Sequence, residues 1–307
     1  MIKVFVDGSS GTTGLRIRER LSGRNDLAVS ILPEEHRKDN AYRKEALNSC
    51  DIAFLCLPDD AAREAVALAE GSDAVIIDTS TAHRTAPGWV YGFPEVRGNR
   101  GLIKDSKRIA NPGCYASGFI ALVSPLVENG ILAPDTLLSC FGISGYSGGG
   151  KKMIAEYEAD ARDILLDSPR MYGLDQAHKH LPEMKKICGL ENTPVFTPVV
   201  APYYAGMLIT VPLFAKIVAS DIKSIEKIYA DYYNNGLVHF RPEAGEGKFL
   251  ASNAFSGSDT MEISVHGNEE RILLTARFDN LGKGASGAAI QNMNIALGLP
   301  EETGLVC

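Results

Sequence analysis

The sequence predicts an α/β protein, with a doubly wound parallel-sheet domain followed by an α+β domain. Over the first part of the chain, short apolar runs alternate with amphipathic stretches, the pattern of strands joined by crossover helices. A glycine-rich segment, Gly8 to Gly14, lies at the first strand-to-helix turn. From about Thr136 the apolar runs lengthen and follow one another with few helical interruptions, which favours antiparallel pairing.

Ile2, Val4 and Val6 open the first strand, and further strands are expected at Leu27 to Leu32, Asp51 to Leu57 and Ala74 to Asp78. Helical periodicity fills the gaps at Thr13 to Leu21, Ala41 to Asn48 and Asp59 to Glu70. The last of these is announced by Pro58 and by Asp59 and Asp60, whose charges suit the positive end of a helix dipole. Strand-like runs in the second part are Thr136 to Ile143, Pro194 to Val200, Met207 to Ile217, Glu262 to His266 and Arg271 to Phe278. Helical patterns fall at Lys151 to Leu166, Asp221 to Tyr233 and Gly287 to Leu297, the last placed to return to the first domain.

A length of 307 residues corresponds to about two domains at the usual ~100 to 200 residues each. The 31 Lys and Arg against 38 Asp and Glu leave a net charge of 31 − 38 = −7, which argues against a nucleic-acid or anionic-membrane surface. No apolar run approaches the ~20 residues that span a bilayer, and Met1 to Val6 enters a strand pattern rather than a signal peptide, so a cytoplasmic location is expected. The six cysteines are scattered without a C-x-x-C pair or metal-ligand spacing, and read as free thiols with no metal site.

Four features carry chemistry, and a fifth segment, after the second strand, bears on the choice of cofactor. Gly8-Ser9-Ser10-Gly11-Thr12-Thr13-Gly14 follows the first strand, where small residues admit a pyrophosphate to the N–H groups of a helix start. Its G-x-x-G-x-x-G spacing also suits a turn that merely packs helix on strand. After the second strand, Glu34 and Glu35 lie beside His36, Arg37 and Lys38, so a ribose hydroxyl and a 2′-phosphate both find partners. The adjacent basic cluster favours the phosphate, hence NADP. In Asn111-Pro112-Gly113-Cys114-Tyr115 a turn delivers Cys114 to a helix start, where the dipole and N–H groups favour thiolate and oxyanion. Cys50, Cys56, Cys140, Cys188 and Cys307 read as packing. His178-Lys179-His180-Leu181-Pro182-Glu183 offers a base for that thiol, or else a polar surface loop. Ser144 to Lys152, with Ser147, Gly148 and Lys151, is a glycine-rich loop ending in cations that suits an anion but lacks P-loop spacing.

Taken in this order, the four features resemble the N-acetyl-γ-glutamyl-phosphate reductases, especially the shorter form, over nearly the whole chain. The Asn-Pro-Gly-Cys-Tyr stretch is the most diagnostic, supported by Ala201 to Met207 and by Asn280 to Gly287. The resemblance implies a Rossmann-like dinucleotide domain over 1–114 and a catalytic and oligomerisation domain of the glyceraldehyde-3-phosphate-dehydrogenase-like type over 115–284. Residues 285–307 would form a C-terminal helix returning to the first domain.

It further implies NADPH-dependent reductive dephosphorylation of an acyl phosphate in arginine biosynthesis, by a homotetramer or homodimer. Cys114 matches the nucleophile and His180 the base. Gly8 to Gly14, Ser80, Asn280 and Gly284 would border the cofactor together with Arg37 and Lys38. Asn111, Ser147, Gly148, Lys151, Arg84 and Arg108 would serve the substrate, the last three chosen from charge. Lys151 stands where the longer form commonly has Arg, and loses a planar two-point grip. Aspartate-semialdehyde dehydrogenases are the nearest competitor. A cysteine acyltransferase or hydrolase without dinucleotide, and a redox sensor switched at Cys114, are alternatives of other classes.

Overall fold

The computed structural model describes residues 1–307, which divide into two compact units. Unit 1 comprises Met1–Pro112 and Ala285–Leu305, and unit 2 comprises Gly113–Gly284 and Val306–Cys307. The first division therefore precedes Cys114 instead of following it, and the last two residues belong to unit 2 instead of the C-terminal helix. Cys114 is the first residue of a helix, and a helix enters its unit whole.

Unit 1 runs β1 (Ile2–Asp7), α1 (Thr12–Leu21), β2 (Leu27–Ser30), α2 (Asn40–Ser49), β3 (Ile52–Leu55), α3 (Asp59–Leu68), β4 (Val75–Asp78), β5 (Val90–Tyr91), α4 (Asn99–Asp105) and β6 (Arg108–Ala110). These strands form one sheet in the order β2-β1-β3-β4-β6-β5, parallel throughout. Every residue of β3 is buried, as expected for a central strand with both faces covered. The strand order reverses direction between β1 and β3, so the carboxyl ends of these strands form the edge where open α/β sheets receive ligands.

Unit 2 runs α5 (Cys114–Glu128), β7 (Ser139–Gly145), α6 (Gly150–Tyr157), β8 (Arg170–Met171), α7 (Leu181–Ile187), β9 (Val195–Ala201), β10 (Met207–Phe214), α8 (Ile222–Tyr232), β11 (Val238–Phe240), β12 (Met261–Gly267) and β13 (Arg271–Phe278). Its sheet has the order β11-β12-β13-β10-β7-β9-β8. The pairing is mixed: β7–β9 and β11–β12 are parallel, the others antiparallel. Side chains alternate along β10, with Met207, Ile209, Val211 and Leu213 buried and Pro212 and Phe214 exposed. The inner face packs on α5, whose residues Tyr115 to Leu126 are all buried.

The helix expected over Lys151 to Leu166 is shorter. It stops at Tyr157, where Arg162 Nη1 donates to the Tyr157 carbonyl, and Asp163 then starts a separate 3-10 turn by accepting from Leu165 N. A π-helical turn, Gly282–Ser286, leads into α9 (Gly287–Ala296). This helix places Ala289, Ile290, Met293 and Ile295 in the unit 1 core with Val4, Val6, Ile52, Phe54 and Ile77.

Candidate active site

In unit 1 the β1–α1 turn is shaped by contacts that only glycine permits. Gly8 has φ +80, and a Cβ there would lie 2.3 Å from the Cys56 carbonyl oxygen; a Cβ on Gly14 would lie 2.5 Å from the Gly8 oxygen. Helix α1 begins from Gly11, whose extended backbone contributes no capping side chain. Thr12 Oγ1 is buried without a hydrogen-bond partner. An open helix start beside an unsatisfied hydroxyl suits a phosphate. These residues therefore fit the pyrophosphate of a dinucleotide, with Ser10 and Thr13 in the same turn.

The other expected cofactor residues of unit 1 are placed differently. Arg37 lies in the turn after β2, where Glu34 holds it at 2.8 Å, and Lys38 follows. The Ser80 hydroxyl is turned inward, donating to Asp78 Oδ2 at 2.7 Å and accepting from Ala82 N at 3.1 Å.

Arg84 and Asn111 are buried at the carboxyl edge of the unit 1 sheet. Arg84 donates from Nε to the Asn111 carbonyl at 2.9 Å and from Nη2 to the Thr79 carbonyl at 3.2 Å. Asn111 donates to the Ala285 carbonyl at 3.0 Å and accepts from Asn292 Nδ2 at 3.1 Å, so its amide holds chain segments together. Arg108 corrects the expectation made from charge alone. It starts β6, and its guanidinium donates to the Ala74 and Lys107 carbonyls, which precede β4 and β6 at the sheet edge opposite the ligand edge.

In unit 2 the helix start of α5 carries Cys114, half-buried, directly after Gly113. Glu183, in the first turn of α7 and 1% exposed, accepts from Gly113 N at 3.1 Å. This is the carboxylate half of a capping box, supplied from another helix. The other oxygen of Glu183 lies 4.0 Å from Nε2 of His180, the residue that precedes α7. One carboxylate thus bonds to the helix of the thiol and faces the imidazole.

Aromatic rings close the site. Tyr115 lies 6.1 Å from the His180 ring and edge-on to Phe196, and its hydroxyl donates to the Val199 carbonyl. His178 stands edge-on to Tyr115, Phe196 and His180, and its Nδ1 accepts from His180 N at 3.2 Å. That bond fixes the His178 proton on Nε2 when the ring is neutral. Burial pushes the Tyr115 phenol well above its ordinary range, with the charges of Tyr172 and Cys114 adding to the shift. Tyr172 is pushed up by burial and by Cys114. Both phenols keep their protons at neutral pH.

The remaining expected residues sit nearby in unit 2. Asn280 donates from Nδ2 to Ser147 Oγ at 2.9 Å and accepts from Gly206 N at 2.9 Å, so its amide joins three loops. A Cβ on Gly284 would lie 3.0 Å from Cys114 Cβ, and one on Gly148 would lie 3.3 Å from Ser144 Oγ. Lys151 is exposed in the first turn of α6. Sequence reasoning assigned no role to Glu183, Tyr115 or Tyr172. The His180-x-x-Glu183 spacing was a usable signal, since residues three apart at a helix start share a face. Nothing in sequence spacing pointed to Tyr172.

The chain is similar to known proteins over nearly its whole length. Residues 33–105 match the semialdehyde dehydrogenase, NAD binding domain family, and residues 114–280 match the semialdehyde dehydrogenase, dimerisation domain family. The N-acetyl-gamma-glutamyl-phosphate reductase of Sinorhizobium medicae is 46% identical over 305 residues, covering 96% of this chain and 98% of that protein. N-acetyl-gamma-glutamyl-phosphate reductase 2 of a Nostoc species is 45% identical over 318 residues, covering 99% of both. Among solved structures, aspartate semialdehyde dehydrogenase II from Vibrio cholerae superposes with a TM-score of 0.73 at 17% identity, covering 97% of this chain and 98% of that one. An NADP complex of the Candida albicans enzyme gives 0.67 at 15% identity, with 97% and 99% covered. At these identities the structural likeness establishes the fold alone.

Proposed function

Because the chain belongs to the N-acetyl-γ-glutamyl-phosphate reductase family, we propose that it reduces N-acetyl-γ-glutamyl phosphate to the semialdehyde with release of phosphate, the arginine-biosynthetic step, using Cys114 as nucleophile and His180 as base. The observation that carries the residue assignment is the Glu183 carboxylate, bonded to Gly113 N and facing His180.

His180 takes the Cys114 proton, and the resulting imidazolium is stabilised by Glu183, an opposite charge at short range in a buried site. The thiolate sulfur attacks the acyl carbonyl, a C–S bond forms, and phosphate departs with the C–O electron pair, leaving a thioester on Cys114. The N–H groups in the first turn of α5, beyond the Gly113 N–H that Glu183 takes, would stabilise the charge that the carbonyl oxygen gains. NADPH, when bound, supplies the hydride that reduces the thioester carbonyl. His180 then returns its proton to the alkoxide, recovers it as the C–S bond breaks, and the semialdehyde leaves. Gly8, Gly11, Thr12 and Gly14 would hold the pyrophosphate, with Arg37 and Lys38 at the 2′-phosphate end. Arg84, at the ligand edge of unit 1, is the side chain we assign to the substrate phosphate.

The outer face of the unit 2 sheet supports a homo-oligomer. Phe141 and Val195 are exposed there, Phe141 pairs with Thr210 and Thr197, and Leu273 pairs with Pro212 on the same face. A second copy of this chain is the occupant that such an apolar face fits. No helix is long and apolar enough to cross a membrane, and six cysteines without a disulfide suit a reducing compartment such as the cytoplasm.

The test is the reverse assay, in which N-acetylglutamate semialdehyde, phosphate and NADP+ should yield NADPH. NAD+ should serve poorly, and aspartate semialdehyde should not react. Turnover with aspartate semialdehyde at the same rate would overturn the substrate assignment.

A further inference from the structure

The loop that carries His178 and His180 leaves the unit 2 sheet where a proline interrupts strand pairing. Strand β8 pairs with β9 through Arg170 and Met171 alone, opposite Val200 and Val199. Tyr172 N then donates to the Pro198 carbonyl at 3.1 Å, and Pro198, which has no N–H, cannot return the bond. Two residues away on β9, the N–H and C=O of Phe196 would stand open on a sheet edge. The side-chain amide of Gln176 takes both: its Nε2 donates to the Phe196 carbonyl at 2.8 Å, and its Oε1 accepts from Phe196 N at 2.9 Å.

This pair of bonds is the one a residue of a neighbouring antiparallel strand would make. Gln176 makes it from a turn, with its N donating to the Gly173 carbonyl at 3.0 Å, and it is the one residue other than glycine with a positive φ, 55°. A backbone in that region keeps its shape only where surrounding contacts fix it. Two residues on, the His178 ring stands edge-on to Phe196 with centroids 5.1 Å apart, so Phe196 meets Gln176 through its backbone and His178 through its ring. His178 Nδ1 accepts from His180 N at 3.2 Å, and the His178 carbonyl accepts from Leu181 N at 3.0 Å, which sets the turn from which α7 starts.

We propose that Gln176 is a positioning residue for the base: its amide, in the place of a missing strand residue opposite Phe196, fixes the loop so that His178 holds His180 N and the His180 imidazole stays beside Glu183. The inference rests on the assignment of His180 made above. Without the amide, water takes the N–H and C=O of Phe196, and the loop is released to sample other orientations of the His180 ring. Gln176 acts through His178 and His180, so its loss slows turnover without weakening the binding of cofactor or phosphate.

The test is the steady-state kinetics of the reverse reaction, with Tm measured alongside. Gln176→Met keeps the length of the side chain and removes both bonds; it should lower kcat about tenfold or more, leave KM for phosphate and for NADP+ within about twofold, and leave Tm within a few degrees. Gln176→Gly suits the positive φ and carries the comparison should the Met variant not fold; it lacks the amide equally and should lose as much kcat. A glycine variant with wild-type kcat would show that the backbone turn matters and the amide does not. A long-range proton–nitrogen NMR spectrum above neutral pH reads the link itself: His178 should show the Nε2–H tautomer in the wild type and a mixture of tautomers in Gln176→Met, a change that a merely loosened sheet edge would not produce. An unchanged kcat in Gln176→Met, a loss of Tm and of both KM values together, or the same His178 tautomer in the two proteins overturns the role of Gln176. His180→Asn separates the premise: if that change leaves kcat unaltered, the assignment of the base fails, whatever the Gln176 variants do.

Discussion

Helix α1 in unit 1 and helix α5 in unit 2 both begin from a glycine with extended backbone and no capping side chain, Gly11 (φ −72, ψ 167) and Gly113 (φ −78, ψ 144). What fills the two starts differs. At α1 the buried Thr12 hydroxyl has no partner. At α5 the protein supplies its own occupants, with Cys114 at the first position and Glu183 taking the Gly113 N–H. One helix start is left open for a diffusible anion, and the other is committed to holding a thiol. A glycine turn before a helix therefore announces an electropositive site, while the surrounding contacts decide whether a ligand or a side chain uses it.

The comparison breaks most visibly if Cys114 is dispensable. Cys114→Ser should lower kcat by about a thousandfold or more, since the hydroxyl is a far weaker nucleophile at neutral pH, and should leave NADPH binding by fluorescence titration intact. Near-normal turnover would remove the thiol from the mechanism. At α1 the corresponding change is Gly8→Ala, which forces a Cβ to within 2.3 Å of the Cys56 carbonyl oxygen at a positive φ. It should abolish measurable NADPH binding in the titration, or lower Tm by several degrees where the turn rearranges instead.

Glu183→Gln keeps an oxygen for Gly113 N and removes the charge facing His180. The expected loss in kcat is about ten- to a hundredfold, with the pH–rate limb that His180 contributes displaced to lower pH, because the carboxylate had favoured the protonated ring. A profile superimposable on the wild type would show that Glu183 serves α5 alone.

The thiols offer a milder discrimination. Burial pushes Cys50 up to about 11 and Cys56 up to about 12, and raises Cys140 and Cys188 as well. A raised thiol has little thiolate at neutral pH, so iodoacetamide near pH 7 should spare these four and inactivate the enzyme in proportion to modification of Cys114. Peptide mapping that finds Cys56 alkylated first would contradict this. The smallest effect belongs to Thr12→Val, which removes only the unpartnered hydroxyl and should weaken NADPH by about two- to fivefold.

Unit 1 was legible because its periodicities are local. The apolar runs of β1, β3 and β4 and the amphipathic stretches of α1 to α3 lie within a few residues of their predicted bounds. Short elements such as β5, β8 and α7 left no such pattern. Cys114 could be singled out since Pro112 and Gly113 mark its turn. For Glu183 the spacing from His180 was legible, but its bond to Gly113 was not, because Gly113 is 70 residues away and the pairing depends on α5 packing against α7. Arg108 misled for a related reason: charge is visible in a sequence, but which end of a strand bears it depends on register, here Arg108 opposite Ile76.

The placement of α9 bears on how the protein is made. Ribosomes deliver unit 2 up to Gly284, all but Val306 and Cys307, before the helix that supplies Ile290 and Met293 to the core of unit 1 has emerged. During synthesis the nucleotide domain waits, its apolar side against β4 uncovered, for the last twenty or so residues of the chain. A premature stop in that stretch would therefore strand the half of the enzyme that was translated first.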